Sequence, residues 1–497
     1  MRRPNRATLA PAGLFGGMLL SLLAQACGSP AHGAQEPGAA VRPPAARRGG
    51  APDPRADLAL LTQGANALAA NQPQEAEELL GAYLEQDPGC GMALFLRGVA
   101  LLDLGRVAEA RDALRASVEA DPDDASGHAV LARIEFEAGD LEAAAASLER
   151  AVECAPGEAQ HWTSLGLVHL ELDHWGEAYD ALLEAVRLDP RAAGAHRALG
   201  RLYVQVAEFE LAERAYRTAL DIEPDDVALR VALAHVLRDL ARPAEAVEHY
   251  REALEREPTN PWLEANVASS LMELDRPREA RGHFEAALER LDGQGLDEAL
   301  ISLNYGGCLE RLGDLDGAES AYDSAVAAAP ELGRAHEALG LLQLNLGEER
   351  RAARSLGEAF RLGDIHPDSL LDLTLLLERQ GDWARAQECA RTLLDDPSAE
   401  PSHLFRRARL RLRSRDPSVQ DASAAAALLR PLVEGDLGRQ PAPWELLAEA
   451  CTQLGDLEEA IGAVDGALSV VAPNSPVRAR FERQREHLVS QLEDAQP

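Results

Sequence analysis

Arg197 and Arg201 stand four residues apart, so on a helix they share one face and present two guanidinium groups to the same partner. Each planar guanidinium donates two parallel hydrogen bonds to a carboxylate, and a pair of them suits an acidic side chain or a free C-terminal carboxylate. Arg133, His235 and Arg238 add cationic groups before and after this pair. A second concentration of positive charge runs through Arg406, Arg407, Arg409, Arg411, Arg413 and Arg415, with Leu404, Ala408 and Leu412 as an apolar stripe at helical spacing. That stretch suits an acidic partner or an anionic lipid surface, or else it neutralises acidic helices packed beside it. The first set has the same competing reading, internal pairing with Glu208, Asp239 and their neighbours.

Other reactive side chains point to little chemistry. His161, His169 and His174 gather around Trp162 and Trp175, but two of them lie eight residues apart, two helical turns, beyond common chelation. His169 takes an apolar place in its helix, so core or boundary roles are expected and no metal site. Cys90, Cys154, Cys308, Cys389 and Cys451 form no CxxC and read as small buried hydrophobes. There is no GxSxG, HExxH or phosphate-binding glycine loop. No catalytic residue, cofactor or metal is expected.

The formal net charge is −34, from 83 acidic and 49 basic side chains, and every basic residue other than histidine is arginine. Such a field repels nucleic acid and anionic head groups. A protein or peptide is the expected partner, and nucleic acid is not.

The elements that must position these groups are helices. Ala, Leu, Glu and Arg dominate, aromatics are 4%, and apolar residues recur at i, i+3 and i+4, as in Leu165, Val168 and Leu172. At 497 residues one compact core is not expected. Instead the chain repeats. Pro88, Pro122, Pro156, Pro190, Pro224 and Pro258 fall 34 residues apart. Ala76 to Ala280 and Gly64 to Ala268 keep the same step, seven units in register. A small residue midway along the first helix of each unit, and an alanine early in the second, let the two helices approach closely. Glycine turns such as Ala138-Gly139-Asp140 break one helix, and the aspartate caps the next.

Trp162-Thr163-Ser164-Leu165-Gly166, then Ala178, Leu182, Ala185 and Pro190, resemble the tetratricopeptide repeat. Trp444, Leu447, Ala448, Gly455, Ala460, Ala467 and Pro473 form a second good copy. The resemblance implies an all-α, right-handed superhelical solenoid of about twelve helix pairs over roughly residues 57 to 474. It also implies that outward residues of each first helix line a concave, peptide-binding groove. One period carries Arg201 onto His235, and Arg133 lies two periods earlier. Arg133, Arg197, Arg201, His235 and Arg238 would then face the groove. The Lys/Asn clamp of tetratricopeptide co-chaperones is absent.

The register divides the chain into repeats over 57–292, a short insertion at 293–299, repeats over 300–395, a degenerate unit at 396–443, one repeat at 444–474, and a capping helix and tail at 475–497. Ahead of them, residues 1–26 read as an export signal: Arg2, Arg3 and Arg6 precede the apolar run Leu14 to Ala24, which is too short to span a membrane stably. Ala24-Gln25-Ala26 fits an ordinary cleavage site, while Cys27 after it resembles the lipidated cysteine of a bacterial lipobox, though Ala24 stands where leucine is usual. Secretion with a free Cys27 and an uncleaved anchor are the alternatives. Residues 27–56, rich in Ala, Pro, Gly and Arg, read as a disordered tether. Lipidation would hold the chain at the periplasmic face of the envelope, at the outer membrane since Gly28 follows the cysteine, with the lipid as its only membrane contact. The function expected is a non-catalytic interaction scaffold or adaptor; the alternative is a non-catalytic regulatory or targeting subunit of an envelope enzyme complex.

Overall fold

The computed structural model describes residues 54–291, 295–395, 398 and 400–495. The export segment, Cys27 and the tether as far as residue 53 lie outside the described residues. Those described form twenty-five α-helices and one short 3-10 turn, with no strand among them, so the all-α helix-pair class expected from the sequence is the one adopted. No described helix is long and apolar enough to cross a membrane.

The described residues up to Arg242 form one compact unit and those from Pro243 another. The first contains α1 (Pro54–Ala69), α2 (Pro73–Leu84), α3 (Gly91–Asp103), α4 (Val107–Ala120), α5 (Ala125–Glu137) and α6 (Leu141–Cys154). It continues with α7 (Ala159–Glu171), α8 (Trp175–Leu188), α9 (Ala193–Gln205), α10 (Phe209–Ile222) and α11 (Val227–Asp239). Consecutive helices pack as hairpins from α1/α2 to α9/α10, and the first helices of successive pairs also touch, as α7 does α9. We call the first helix of a pair A and the second B.

The pairs close on small residues. A Cβ at Gly166 would stand 2.5 Å from Leu182 Cγ, and one at Gly200 2.5 Å from Tyr216 Cε1. These two A helices therefore need glycine to lie against their partners. Ala178, Leu182 and Ala185 are fully buried in the seam, and burying one such leucine contributes about 1.5–3 kcal/mol. The A–B turn requires one residue in the left-handed region. Gly139 supplies it with φ 81°, after which Asp140 caps α6 by accepting from Ala143 N. Asn71, Asp173, Ala207, Ala241 and Asp275 adopt the same conformation with φ of 55–59°.

The tryptophan that opens the Trp162 unit has a measurable task. Its Nε1 donates to the carbonyl of Pro156 at 3.0 Å, six residues back, and Trp444 does the same to Gly438 at 2.7 Å. His128, His196 and His336 reach Pro122, Pro190 and Pro330 carbonyls at 2.9–3.0 Å through Nε2. A carbonyl only accepts, so Nε2 carries the proton in each. Arg230 makes the same bond to Pro224 at 2.6 Å. These substitutions keep a long side chain with an N–H at its tip, tying each A helix to the preceding turn.

The second unit contains α12 (Pro243–Arg256), α13 (Pro261–Glu273), α14 (Pro277–Glu289), α15 (Leu296–Leu312), α16 (Leu315–Ala328), α17 (Gly333–Asn345) and α18 (Glu349–Arg361). It ends with α19 (Pro367–Gln380), α20 (Trp383–Leu394), α21 (Pro401–Arg413), α22 (Ala422–Glu434), α23 (Pro441–Leu454), α24 (Leu457–Val470) and α25 (Arg478–Ala495). Pairs run from α13/α14 to α23/α24. Residues 296–299, read from the sequence as insertion, belong to the 17-residue α15. Between α21 and α22 a longer connection carries the buried Ser414 and Asp416. The last helix packs on α24 with Phe481 and Leu488 buried, and Arg478 donates to the carbonyls of Leu468 and Val471 at that helix's end.

Of the cysteines, Cys308, Cys389 and Cys451 are buried as expected, whereas Cys90 and Cys154 are only partly so. Both lie at helix ends, where packing is thinner: Cys90 precedes α3 and Cys154 closes α6. Burial pushes the Cys389 and Cys451 thiols up to about 12.

Candidate functional site

The A helices carry the arginines singled out from the sequence, and their surroundings differ along the chain. In the first unit Arg197 and Arg201 share a face of α9, as their spacing requires, but turn to different partners. Arg197 donates from Nη1 to Asp226 Oδ2 at 3.0 Å and from Nη2 to Glu223 at 3.5 Å. Asp226 is also the N-cap of α11, accepting from Leu229 N. Arg201 Nη2 donates to Glu171 at the end of α7, at 2.6 Å. Burial pushes the Tyr216 phenol up to about 12 against the opposing charges of Arg201 and Arg197. Arg133 lies 3.8 Å from Glu137 on its own helix, and its Nη2 is buried with no hydrogen-bond partner among the described residues.

His235 keeps solvent contact on α11. Even so, desolvation by the protein around its ring, and then the charge of Arg238, push its imidazole down to about 4. It is therefore neutral at neutral pH and adds no charge to Arg238. His161 and His169 are buried on α7, each with an Nδ1 that lacks a hydrogen-bond partner among the described residues. Burial lowers both pKa values; for His169 the neighbouring His174 adds to the effect, its ring centroid 5.7 Å away. No described group of three His, Cys, Asp or Glu could hold a metal ion.

The second arginine run lies on α21. Arg406 grips Asp368 with two hydrogen bonds, at 2.7 and 3.3 Å, and Arg407 is half-buried on the same helix. Arg411 lies 4.0 Å from Asp421. The remaining members open into a cavity of about 320 Å³, lined on one side by Arg409, Arg413 and Arg415 and on the other by Arg379 of α19. Leu344 and Leu375 supply its apolar wall, and Asp372 and Glu378 its acids. Glu378, 3% exposed, accepts from Ser414 Oγ and, at 2.7 Å, from Arg415 N. This carboxylate holds the connection after α21 in place. Asp416 is held below the usual carboxylate range by hydrogen bonds from Gln387 and then Ser418. Burial pushes the Asp372 carboxyl up, against the pull of Arg409 at 3.8 Å.

Arg379 was not singled out from the sequence, since it lies far from the arginine run. The signal was present, because 379 and 413 differ by the 34-residue period. The repeat arrangement brings Arg379 and Arg413 to adjacent A helices.

The sequence profile of the tetratricopeptide repeat matches residues 61–125, 109–159, 129–193, 163–205, 197–261, 268–333 and 418–476, more than half of the chain. The chain belongs to the tetratricopeptide repeat family. This tetratricopeptide array is accordingly a protein-interaction scaffold. Solved structures similar to it include YrrB, a TPR protein with an unusual peptide-binding site, at 21% identity over 38% of this chain and 95% of that one, with TM-score 0.34. The APC/C hetero-tetramer Cut9–Hcn1 is similar at 14% identity over 86% of this tetratricopeptide chain and 96% of that one, with TM-score 0.40. PilF of Pseudomonas aeruginosa is similar at 22% identity over 40% and 88%, with TM-score 0.34. No curated protein matches the sequence.

Proposed function

We propose that this tetratricopeptide chain is an exported, lipid-tethered adaptor of a bacterial cell envelope that holds peptide segments of other proteins against its A helices and carries out no catalysis itself. The observation that most supports this reading is the placement of cationic side chains on A helices of a chain whose formal net charge is −34. Arg133 lies on α5, Arg197 and Arg201 on α9, Arg238 on α11, and Arg406 to Arg413 on α21. An acidic segment or a C-terminal carboxylate is the partner chemistry these groups suit. Repeats occupy nearly the whole chain after the tether, and the strongly perturbed tyrosines, cysteines and His235 trace first to burial, while Arg430 is raised by its bond to Glu459.

For the tether, the support is Cys27 directly after an apolar run and ahead of a stretch too poor in large apolar residues to fold. Labelled palmitate is expected in wild-type protein and not in Cys27→Ser; equal labelling of the two ends the tether proposal. For the adaptor, affinity capture with the mature chain, followed by mass spectrometry, is expected to return a reproducible protein partner released by salt. Capture of none, or turnover of a substrate by the purified chain, overturns it.

A further inference from the structure

We infer that the cavity between α19 and α21 is a binding site for an acidic peptide segment, which would present two carboxylates to Arg379, Arg409, Arg413 and Arg415. This rests on the adaptor reading and names the partner chemistry for one place in it.

Availability is the first argument. A guanidinium has five N–H donors. Arg379 lies 3.1 Å from Glu349, Arg409 3.8 Å from Asp372 and Arg413 3.5 Å from Glu449, yet none of the three donates a hydrogen bond among the described residues. The Arg415 guanidinium is exposed, and no described residue pairs with it. The pairs of Arg409 and Arg413 are loose, that of Arg379 is a contact pair, and partly exposed pairs contribute little, so an incoming carboxylate can replace them with charge-assisted hydrogen bonds.

Net charge is the second. Four guanidiniums and two carboxylates line the cavity itself, while Glu349 and Glu449 touch Arg379 and Arg413 from outside its lining. Glu378 is already committed to Ser414 and to the backbone of Arg415. Burial disfavours the charged form of Asp372, which weakens it as a competitor. The wall of Leu344 and Leu375 lowers the local dielectric, strengthening any ion pair formed there.

Size is the third. About 320 Å³ accommodates a few side chains of an extended segment, at the lower end of the range for ligand pockets. The acidic remainder of the chain disfavours a bilayer or a long polyanion, which must bring many charges near it, whereas a short segment brings only a few.

The test uses the full mature chain and fluorescein-labelled octaglutamate, with octaglutamine as control, read by fluorescence anisotropy across salt. Salt-sensitive binding of octaglutamate is expected. Arg409→Ser combined with Arg413→Ser should weaken it by about tenfold or more. Arg415→Ala removes an exposed, unpaired group, so it should weaken binding about threefold with an unchanged melting temperature. Arg187→Ala, on the B helix α8 and paired only with Glu184 among the described residues, should leave binding as in wild type. The inference is overturned if octaglutamate binds no better than octaglutamine. It is overturned equally if folded Arg415→Ala and the double serine variant both bind as wild type. Loss of sedimentation with phosphatidylglycerol vesicles in these variants, with octaglutamate binding intact, assigns the cavity to a membrane instead. If the variants capture the wild-type partners at the same salt, the cavity proposal falls and the adaptor reading stands. If wild type captures no protein, the adaptor reading falls.

Discussion

Two sets of arginines, on α9 and around the cavity of α19 and α21, are alike in type and in their place on A helices, yet they are in different states. Arg197 and Arg201 make hydrogen-bonded pairs at 3.0 and 2.6 Å with Asp226 and Glu171. Arg379, Arg409 and Arg413 sit 3.1–3.8 Å from their acids without a hydrogen bond among the described residues, and Arg415 extends the set into solvent. In the first set an acid at the start of the next A helix, or the end of the previous one, meets each guanidinium. In the second, the acid best placed to do so, Glu378, is drawn away by the backbone and hydroxyl of the connection after α21. Positive charge on a helix face is therefore available to a partner only where local geometry has occupied the nearby carboxylates elsewhere.

The largest test of this contrast is Glu378→Ala. It removes the acceptor for Ser414 Oγ and Arg415 N, both in a buried connection, and should lower stability by about 1–3 kcal/mol in chemical denaturation followed by circular dichroism. Octaglutamate binding should fall as well, since Arg415 loses its anchor. An unchanged denaturation midpoint means that the connection is held by something else.

Next in size is Asp226→Ala. Losing the cap on α11 should lower stability by about 1 kcal/mol, and Arg197 is left with only its longer contact to Glu223 at 3.5 Å. Asp226→Asn keeps a capping side chain while removing the charge, separating the two effects. If pairing is what silences Arg197, both variants should gain salt-sensitive octaglutamate binding. Failure of both to gain it breaks the comparison.

Acidity should act on the first unit through its histidines, by less than either substitution. The folded-state pKa of His235 lies at about 4, below its ordinary 6.5, and those of His161 and His169 are lowered in the same direction. Between these values the unfolded chain binds more protons than the folded one. Stability therefore falls as pH drops from 6.5 toward 4, and is regained as pH rises through that window. Amide protection in α7 and α11, taken relative to the intrinsic exchange rate at each pH, should fall at pH 5 relative to pH 7.5, and His235→Gln should flatten part of the α11 response.

The smallest effect belongs to Glu171→Gln, which unpairs Arg201 on an exposed surface. A stability change within about 1 kcal/mol is expected, with modest new affinity for octaglutamate. No change in affinity would show that α9 needs both guanidiniums free.

Much of the fold was legible because its determinants are local and periodic. Gly166 against Leu182, Asp140 at a helix start and Gly139 in a turn each follow from a few neighbouring residues. The bond from each opening side chain to the carbonyl six residues back became clear only with coordinates. The candidate sites were less legible. Glu208, Asp239 and their neighbours were the internal partners expected for the whole set, whereas Glu223, Asp226 and Glu171 meet Arg197 and Arg201 across turns and helices. The cavity depends on where the irregular connection at Ser414 folds back, and no period specifies that. His235 was grouped with the cations in sequence, and the atoms around it push its imidazole further toward the neutral form.

The turns set a further expectation, about the order in which the first unit assembles. Gly105 and Gly139 enter the left-handed conformation without a side-chain penalty, while Ala207 enters it at φ 59°, with a Cβ that opposes it by about 1–2 kcal/mol. Hairpin closure is the early local event in a chain of units coupled mainly to their neighbours. The hairpins α3/α4 and α5/α6 should therefore close before α9/α10 and act as the template on which it docks, so that folding of this unit runs from its N-terminal side toward its C-terminal side.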